Sequence, residues 1–558
     1  MQKKSLNLIQ PKKMGRDKYA GSSLTVCALL GGAMLLCPPL AQAAEVYSGT
    51  LDGQMLDVHL DTTLQYSNMF RVSAPSAALE GPGNPNGNDG DANLQHGLVD
   101  NTFEVLPVFD VAYGNYGVHV SGEAFVDTPY LGHTQNDQAG TYNPYSVGNN
   151  DFTNATKNDA GKNAELLDAN VRGTWYFGAD NNQSLTLKVG RQTLLWGQSI
   201  FFANNGIAGG MSPVDIWKAL SLPNAQTQQI LLPVGQAVVT YQPNNLLTLQ
   251  AYYQFEWEHD ALPADGTYFS YADLLDKGGE RILNVFGPGT AAYRVNDLKP
   301  SGQNGQFGLS ATLTFSTYSL GFYALRWDAK TPEVYLSAPQ PNGHQDNVAS
   351  YYLVYPKDIQ TFGSSLSTNV GPVNVGAELS ARRNMPLVSP GSFVASYPGS
   401  ANAGAQYPVG TTLAGQISGV YISPGIPLDP GGITTMGEIA FNHVLSVNSE
   451  KANMTPDRNA TAAGFEFTVS PTYDDVLPNL DVQIPLGLSY DFLGNSQVDP
   501  TMNHGYGSYN LGVSATYRQV WNGGVTYVGY FGKPNGNLQD LASLVDRSYV
   551  SFNISRTF

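Results

Sequence analysis

Cysteine is nearly absent: the 558-residue chain holds only Cys27 and Cys37, both near the start. A disulfide-stapled scaffold is therefore excluded. Basic residues are also scarce, 28 Lys and Arg against 45 Asp and Glu, a net charge of −17. Nucleic-acid binding needs a basic face, so that class is excluded too. Beyond residues 24–37 no apolar run approaches the roughly 20 residues of a membrane-spanning helix. The chain has no G-x-S-x-G and no H-E-x-x-H, and its eight histidines are dispersed. An enzyme is not expected, nor is a resident metal or cofactor.

The two cysteines belong to a segment with its own logic. Lys3, Lys4, Lys12, Lys13, Arg16 and Lys18 precede the apolar run, and Ala41-Gln-Ala43 follows it. Positive region, apolar run and A-x-A site read as a signal peptide over 1–43, leaving 44–558 as one exported domain. Without the leader's six bases and one acid the balance is 22 to 44, a net −22.

What is plentiful is glycine (60), tyrosine (32), phenylalanine (23) and strict alternation. Leu56, Val58, Leu60, Leu64 and Tyr66 share one parity; Asp57, His59, Asp61 and Gln65 share the other. Val118, Val120, Ala124 and Val126 oppose His119, Ser121, Glu123 and Asp127 in the same way, as do Leu247–Trp257 and Val373–Ala381 with their polar partners. Period two means strands with one greasy and one polar face. Their length of about 10 residues suits a tilted membrane-spanning strand, and many end in aromatics. Short turns alternate with long polar loops at 128–163, 258–305, 328–350, 384–433 and 492–508. The fold class expected is all-β: a transmembrane antiparallel up-and-down β-barrel of about 16 strands (14 to 18) in a Gram-negative outer membrane.

The last residues fit this reading. Val550, Phe552, Ile554 and Phe558 share one parity up to the final carboxylate. A barrel must pair its last strand with its first, because lipid tolerates no open edge. Phe558 also resembles the terminal aromatic read by outer-membrane assembly machinery. Arg556, on the apolar parity, is expected to snorkel to the headgroups and lipopolysaccharide.

If the strands are right, Asp61, Glu123, Asp168, Arg172, Glu256, Glu378, Arg382 and Arg518 point into the lumen. Two roles stay open for them: a transverse field that selects cargo, or a structural network filling the barrel. Glu378 and Arg382 are the pair to mutate first. Alternation fails at Gly190-Arg-Gln-Thr-Leu-Leu-Trp-Gly197 and onward to Leu220. There Ser212 reads as an N-cap, Pro213 as the first helical residue and Asp215 as part of a capping box, predicting a short helix over 213–221. Arg191, Trp196, Phe201, Phe202, Asp215 and Trp217 are the candidates for a constriction or partial plug near 195–225; a cap outside the lumen is the alternative. Asn84-Pro-Asn-Gly-Asn-Asp-Gly-Asp91 invites a calcium reading but lacks EF-hand spacing, so a flexible polar loop is expected.

The runs "GRQTLLWGQSIFFANNGI", "SPVDIW", "LLPVGQ", "YYQFEWE", "VYPKDIQTFGSSLSTN", "ELSARRNMPL" and "DRSYVSFNISRTF" resemble the family catalogued as domain of unknown function 1302. Val354 departs from that pattern, standing where an acid more often precedes Tyr-Pro. The resemblance implies an outer-membrane β-barrel, working beside a periplasmic lipoprotein-carrier-like protein and a resistance–nodulation–division-type inner-membrane pump. The function expected is a channel for small hydrophobic or amphipathic molecules. A hydrophilic porin, a barrel esterase or lipase, and a surface adhesin are the competing readings.

Overall fold

The computed structural model describes residues 44–202, 204–221, 231–300, 305–337, 349–389, 393–396, 405–425, 431–536 and 541–558. The leader lies outside them. Eighteen antiparallel strands close into a barrel: β1 Gln54–Arg71, β2 Gly97–Tyr113, β3 Tyr116–Asp127, β4 Lys162–Phe177, β5 Gln183–Gln192 and β6 Val234–Gln242. They continue as β7 Leu247–Gln254, β8 Gln306–Thr314, β9 Tyr318–Trp327, β10 Ile359–Val370, β11 Val373–Pro386 and β12 Val409–Ile422. The circuit ends with β13 Ile433–Ser449, β14 Thr461–Leu477, a β15 broken into Leu480–Gln483 and Leu486–Leu493, β16 Gly507–Tyr517, β17 Trp521–Phe531 and β18 Tyr549–Thr557.

The seam is where alternation put it. β18 pairs with β1 from Thr63↔Thr557 to Arg71↔Tyr549, and Phe558 exchanges backbone hydrogen bonds with Thr62 at 3.1 and 3.4 Å. A leading strand, Ala44–Leu51, then takes up the same edge of β1 over 54–60. No unpaired edge is left at the seam for lipid to meet.

The outer face is apolar. Phe103, Leu166, Leu309, Ile417, Ile439 and Leu511 are each more than half exposed. A continuous belt of this kind is covered by hydrocarbon, not water, which places the barrel in an outer membrane. Arg556 does lie on this face; its guanidinium sits over the rings of Trp521 (5.1 Å) and Phe558 (4.2 Å), a cation–π arrangement suited to the interface.

Two sequence expectations need correction. β12 falls inside the segment read as a loop at 384–433. Its outward parity, Leu413, Gly415, Ile417, Gly419 and Tyr421, is diluted by two glycines, so the apolar signal fades. The Phe441 ring covers Gly415, lying 2.6 Å from where a Cβ would be. The strand count is therefore 18, at the top of the expected range.

The long loops are also not simply polar. Arg281–Leu283, Ala291–Arg294, Glu333–Ser337, Ala349–Val354 and Phe393–Ser396, drawn from three loops, form a separate five-stranded sheet. Trp257, Leu274, Ile282, Tyr351, Leu353 and Tyr355 pack as its core. Strands of three to six residues are too short to announce themselves by alternation. They are stable because three loops bury their apolar faces together. This cap sits on the long-loop side, the extracellular side in such barrels.

Candidate functional site: the insert across the lumen

Between β5 and β6 the chain leaves the wall. Gln192 and Gln236, both buried, exchange side-chain-to-backbone hydrogen bonds at 3.1 and 2.8 Å and pin the two stems. Trp196 follows, its ring edge-on to Tyr252 (5.1 Å between centroids) and tilted against Tyr323 (5.8 Å), its indole N–H on Gln250. The chain then reaches the opposite wall.

Two wall carboxylates receive it there. Glu378 on β11 accepts the backbone N–H groups of Gln198, Ser199 (2.9 Å) and Ile207 (3.1 Å). Glu438 on β13 accepts those of Ile200 (3.0 Å), Phe201 and Phe202 (3.0 Å). Gln416 on β12, between them, donates to Glu378 at 3.2 Å. Arg382 returns the complement, donating to the carbonyls of Asn204 (2.8 Å), Asn205 (3.0 Å) and Gly206. Successive N–H groups around one carboxylate make an anion nest, and hydrogen bonds to a charged group contribute roughly 1.5–3 kcal/mol each. Glycine is required for the approach: Gly197 has φ +109°, and a Cβ there would lie 2.0 Å from Glu378 Oε1.

The other end of the insert docks on β3 and β4. Its helix, Ile216–Ser221, is shorter than predicted. Asp215 is the cap, accepting the Lys218 N–H at 2.8 Å. Ser212 is not; its hydroxyl is used on Leu194, accepting that residue's N–H at 3.3 Å. Trp217 packs against Phe125 and Tyr130. The Lys218 ammonium, 4 % exposed, meets Glu123, Glu165 at 2.5 Å and Asp215 at 3.6 Å. Burial alone would lower that ammonium's pKa, but Asp215, Glu123 and Glu165 outweigh it and hold it well above the usual lysine value. Burial pushes the Asp215 carboxyl up to about 7 against the pull of Lys218. The insert thus spans from β3–β4 to β11–β13, held by inward-facing residues of both walls.

The other expected lumen residues divide. Asp61 keeps its inward parity on β1, opposite Val108. Asp168 and Arg172 line a polar chamber of about 450 Å3 with Asp110, His119 and Lys188, on the short-turn side of the insert. Two residues are not in the lumen. β7 ends in a bulge, with the N–H groups of Phe255 and Glu256 both on the Gly235 carbonyl. Glu256 therefore turns outward and pairs with Arg191 at 3.0 Å. Arg518 lies in the exposed β16–β17 turn at φ +54°, its guanidinium over Tyr517. Glu438, Gln416, Glu165 and Lys218 were not among the candidates. Glu438 sits on the inward parity of Met436, Ala440 and Asn442, a pattern that could have found it.

Ser121 lies two residues from His119, yet its hydroxyl donates to Asp168 at 3.4 Å while His119 Nδ1 faces Asp110 at 2.8 Å. His59 and His119 flank Asp110 from the neighbouring strands and do not pair with each other.

Among solved structures, Acinetobacter baumannii OccAB1 is 11 % identical over 93 % of this chain and 98 % of its own, with a TM-score of 0.43. Pseudomonas aeruginosa OpdK, solved with vanillate, is 12 % identical over 90 % and 98 %, TM-score 0.40. A BenF-like porin from Pseudomonas fluorescens Pf-5 is 10 % identical over 90 % and 98 %, TM-score 0.42. No curated protein matches the chain. The model of the family described as "Protein of unknown function (DUF1302)" matches residues 24–558, and the chain belongs to that family.

Proposed function

We propose that this barrel is a gated outer-membrane channel for small amphipathic molecules with a substantial apolar part. One observation carries the reading: an apolar cavity and one that is part apolar, part acidic lie in series on the extracellular side and share a wall. The outer one, about 130 Å3, is lined by Leu262, Leu274, Leu275, Leu387, Val388 and Val498. Its single carboxyl, Glu333, is pushed up to about 7 by burial, with the Ser389 hydroxyl donating to it at 3.1 Å. The inner one, about 190 Å3, is lined by Phe202 and Leu220 of the insert with Phe465, Met502 and Leu544, and by the carboxyls of Glu466, Asp491 and Asp499. Val498 and Pro500 face the first cavity; Asp499, Thr501 and Met502 face the second. An apolar outer cavity with one carboxyl, followed by an inner one with apolar walls and several carboxyls, suits a ligand with an apolar part and a polar end. The polar chamber beyond the insert then suits a cargo's charged end.

A hydrophilic porin would carry an open eyelet with basic residues facing acids. Here Glu378, Glu438 and Arg382 hold the insert instead of facing water. The periplasmic carrier and inner-membrane pump implied by the family resemblance would meet cargo at the short-turn side.

The test is uptake into proteoliposomes of a fluorescent long-chain fatty acid, beside glucose and arginine. Entry of the fatty acid that falls with Leu387→Asp and Met502→Asp supports the proposal. Sugar entry at porin rates with no fatty-acid uptake overturns it.

A further inference from the structure

Asp89, Asp265 and Asp273 come from two loops and offer carboxylate oxygens that all lie within 4.8 Å of one another. All three are buried, at 0, 3 and 0 % exposed. Some of their oxygens are satisfied: Asp89 Oδ2 accepts the Asn143 N–H at 3.0 Å, and Asp273 accepts the Asp89 N–H at 3.0 Å and the Ser270 hydroxyl at 3.2 Å. Others are not. Asp89 Oδ1 and both oxygens of Asp265 receive no hydrogen bond from a backbone, amide or hydroxyl donor, and Asp265 faces the Asp273 carboxyl at hydrogen-bonding range. Asn143, wholly buried beside Asp89, also leaves its side-chain oxygen unpartnered.

The fold supplies arginine where a neighbouring carboxylate needs it. Asp91, two residues from Asp89, is paired with Arg71 at 2.7 Å and Arg547 at 2.9 Å. Arg281, whose field reaches Asp89, spends its guanidinium on the carbonyls of Asn143 (2.7 Å) and Tyr142 (2.9 Å). The three-carboxylate cluster is left with converging negative charge and open lone pairs. Buried charge persists only when it is paired or coordinates a metal.

We propose that Asp89, Asp265 and Asp273 bind one calcium ion that ties the extracellular loops together. The donors are oxygen only, which selects a hard cation, and flexible loop carboxylates suit calcium's variable coordination better than magnesium's strict octahedron. The backbone N–H of Asn143, donated to Asp89 Oδ2, ties the cluster to a third loop, 128–161. The 84–91 run shows only part of it, because Asp265 and Asp273 lie more than 170 residues from Asp89; that run is largely buried, not the flexible loop expected. The segment that carries Asp265 and Asp273 also bears on the apolar entrance: Leu262, Tyr271, Leu274 and Leu275 line the outer cavity. A bound ion would fix that wall in place. The alternative occupant of the space is protons, since burial and mutual repulsion raise the Asp89 and Asp265 carboxyls well above the usual range.

The test uses the full chain, freed of lipopolysaccharide in detergent, stripped with EDTA and titrated with calcium chloride at neutral pH. Expected is one saturable site with a Kd on the order of 10⁻⁴–10⁻³ M or tighter, as in extracellular modules. Calcium should also protect the 72–96 and 255–305 loops from protease. Asp265→Asn should weaken binding at least about tenfold, and Asp137→Asn, an exposed loop acid, should leave it unchanged. Should Asp265→Asn fail to fold, Asp89→Asn serves the same purpose. Absence of saturable binding by the wild type, or equal binding by the cluster variants, overturns the proposal in favour of protonated acids.

Discussion

Two sides of the lumen wall carry charged residues of the same inward parity and use them differently. On β11 and β13, Glu378, Arg382 and Glu438 are buried under the insert, every one bonded to its backbone. On β2 to β5, Asp110, Asp168, Arg172 and Lys188 line an open chamber. The difference teaches that alternation fixes where a side chain points and not what stands opposite it. One set holds the insert; the other lines open space.

The largest effect should come from removing an anchor. Glu438→Ala leaves three N–H groups without their acceptor, at roughly 1.5–3 kcal/mol each. Undocking the insert tip should raise single-channel conductance in planar bilayers by on the order of tenfold. Asp168→Ala, on the chamber side, should leave conductance near wild type. Equal effects from both would break the comparison.

Next comes the other end of the insert. Lys218→Met leaves Glu123, 4 % exposed, without its cation. Stranding a buried carboxylate costs about 3–5 kcal/mol, read as a lowered midpoint in denaturant and as protease cleavage between 193 and 233. Smaller still is the chamber. Arg172→Ser with Lys188→Ser leaves Asp110 and Asp168 unopposed, so reversal potentials should shift a few-fold toward cations while insert cleavage stays unchanged.

The smallest effect is the pH response of the cap in calcium-free buffer. Burial, the largest influence, raises the Asp273 carboxyl from 3.8 to about 6. Its neutral form is the one the folded loops favour, so its contribution to stability is full at pH about 4 and lost as pH rises through about 6. Loop proteolysis should quicken over that window and respond little to pH once calcium is present.

Much of the barrel was legible because period two is a strong signal over long strands. Val550, Phe552 and Ile554 located the seam, and Glu378 and Arg382 lie on the parity that meets the insert. What failed did so where strands stop being regular. Glu256 is turned outward by a bulge and Arg518 by a turn, and β12 hides its outward face behind Gly415 and Gly419. Ser212 looked like a cap, but its hydroxyl is taken by Leu194, leaving Asp215 to start the helix. The anchoring of the insert could not be read at all. Its N–H groups at 198–207 meet carboxylates some 180 and 237 residues away, a separation that no local pattern encodes. The five-stranded cap sheet shares that cause.

The central claim is that the insert crosses the lumen and rests on β11. A Cβ built on Gly376 would lie 3.1 Å from Gln198 Cβ, close enough that a small shift reaches disulfide geometry. The chain's own cysteines are Cys27 and Cys37, both outside the described residues. With Gln198→Cys and Gly376→Cys together, mild oxidation in outer membranes should consume both thiols in one intramolecular bond and hold the channel at its low conductance. If both thiols stay free and are labelled by maleimide, the insert does not rest on that wall.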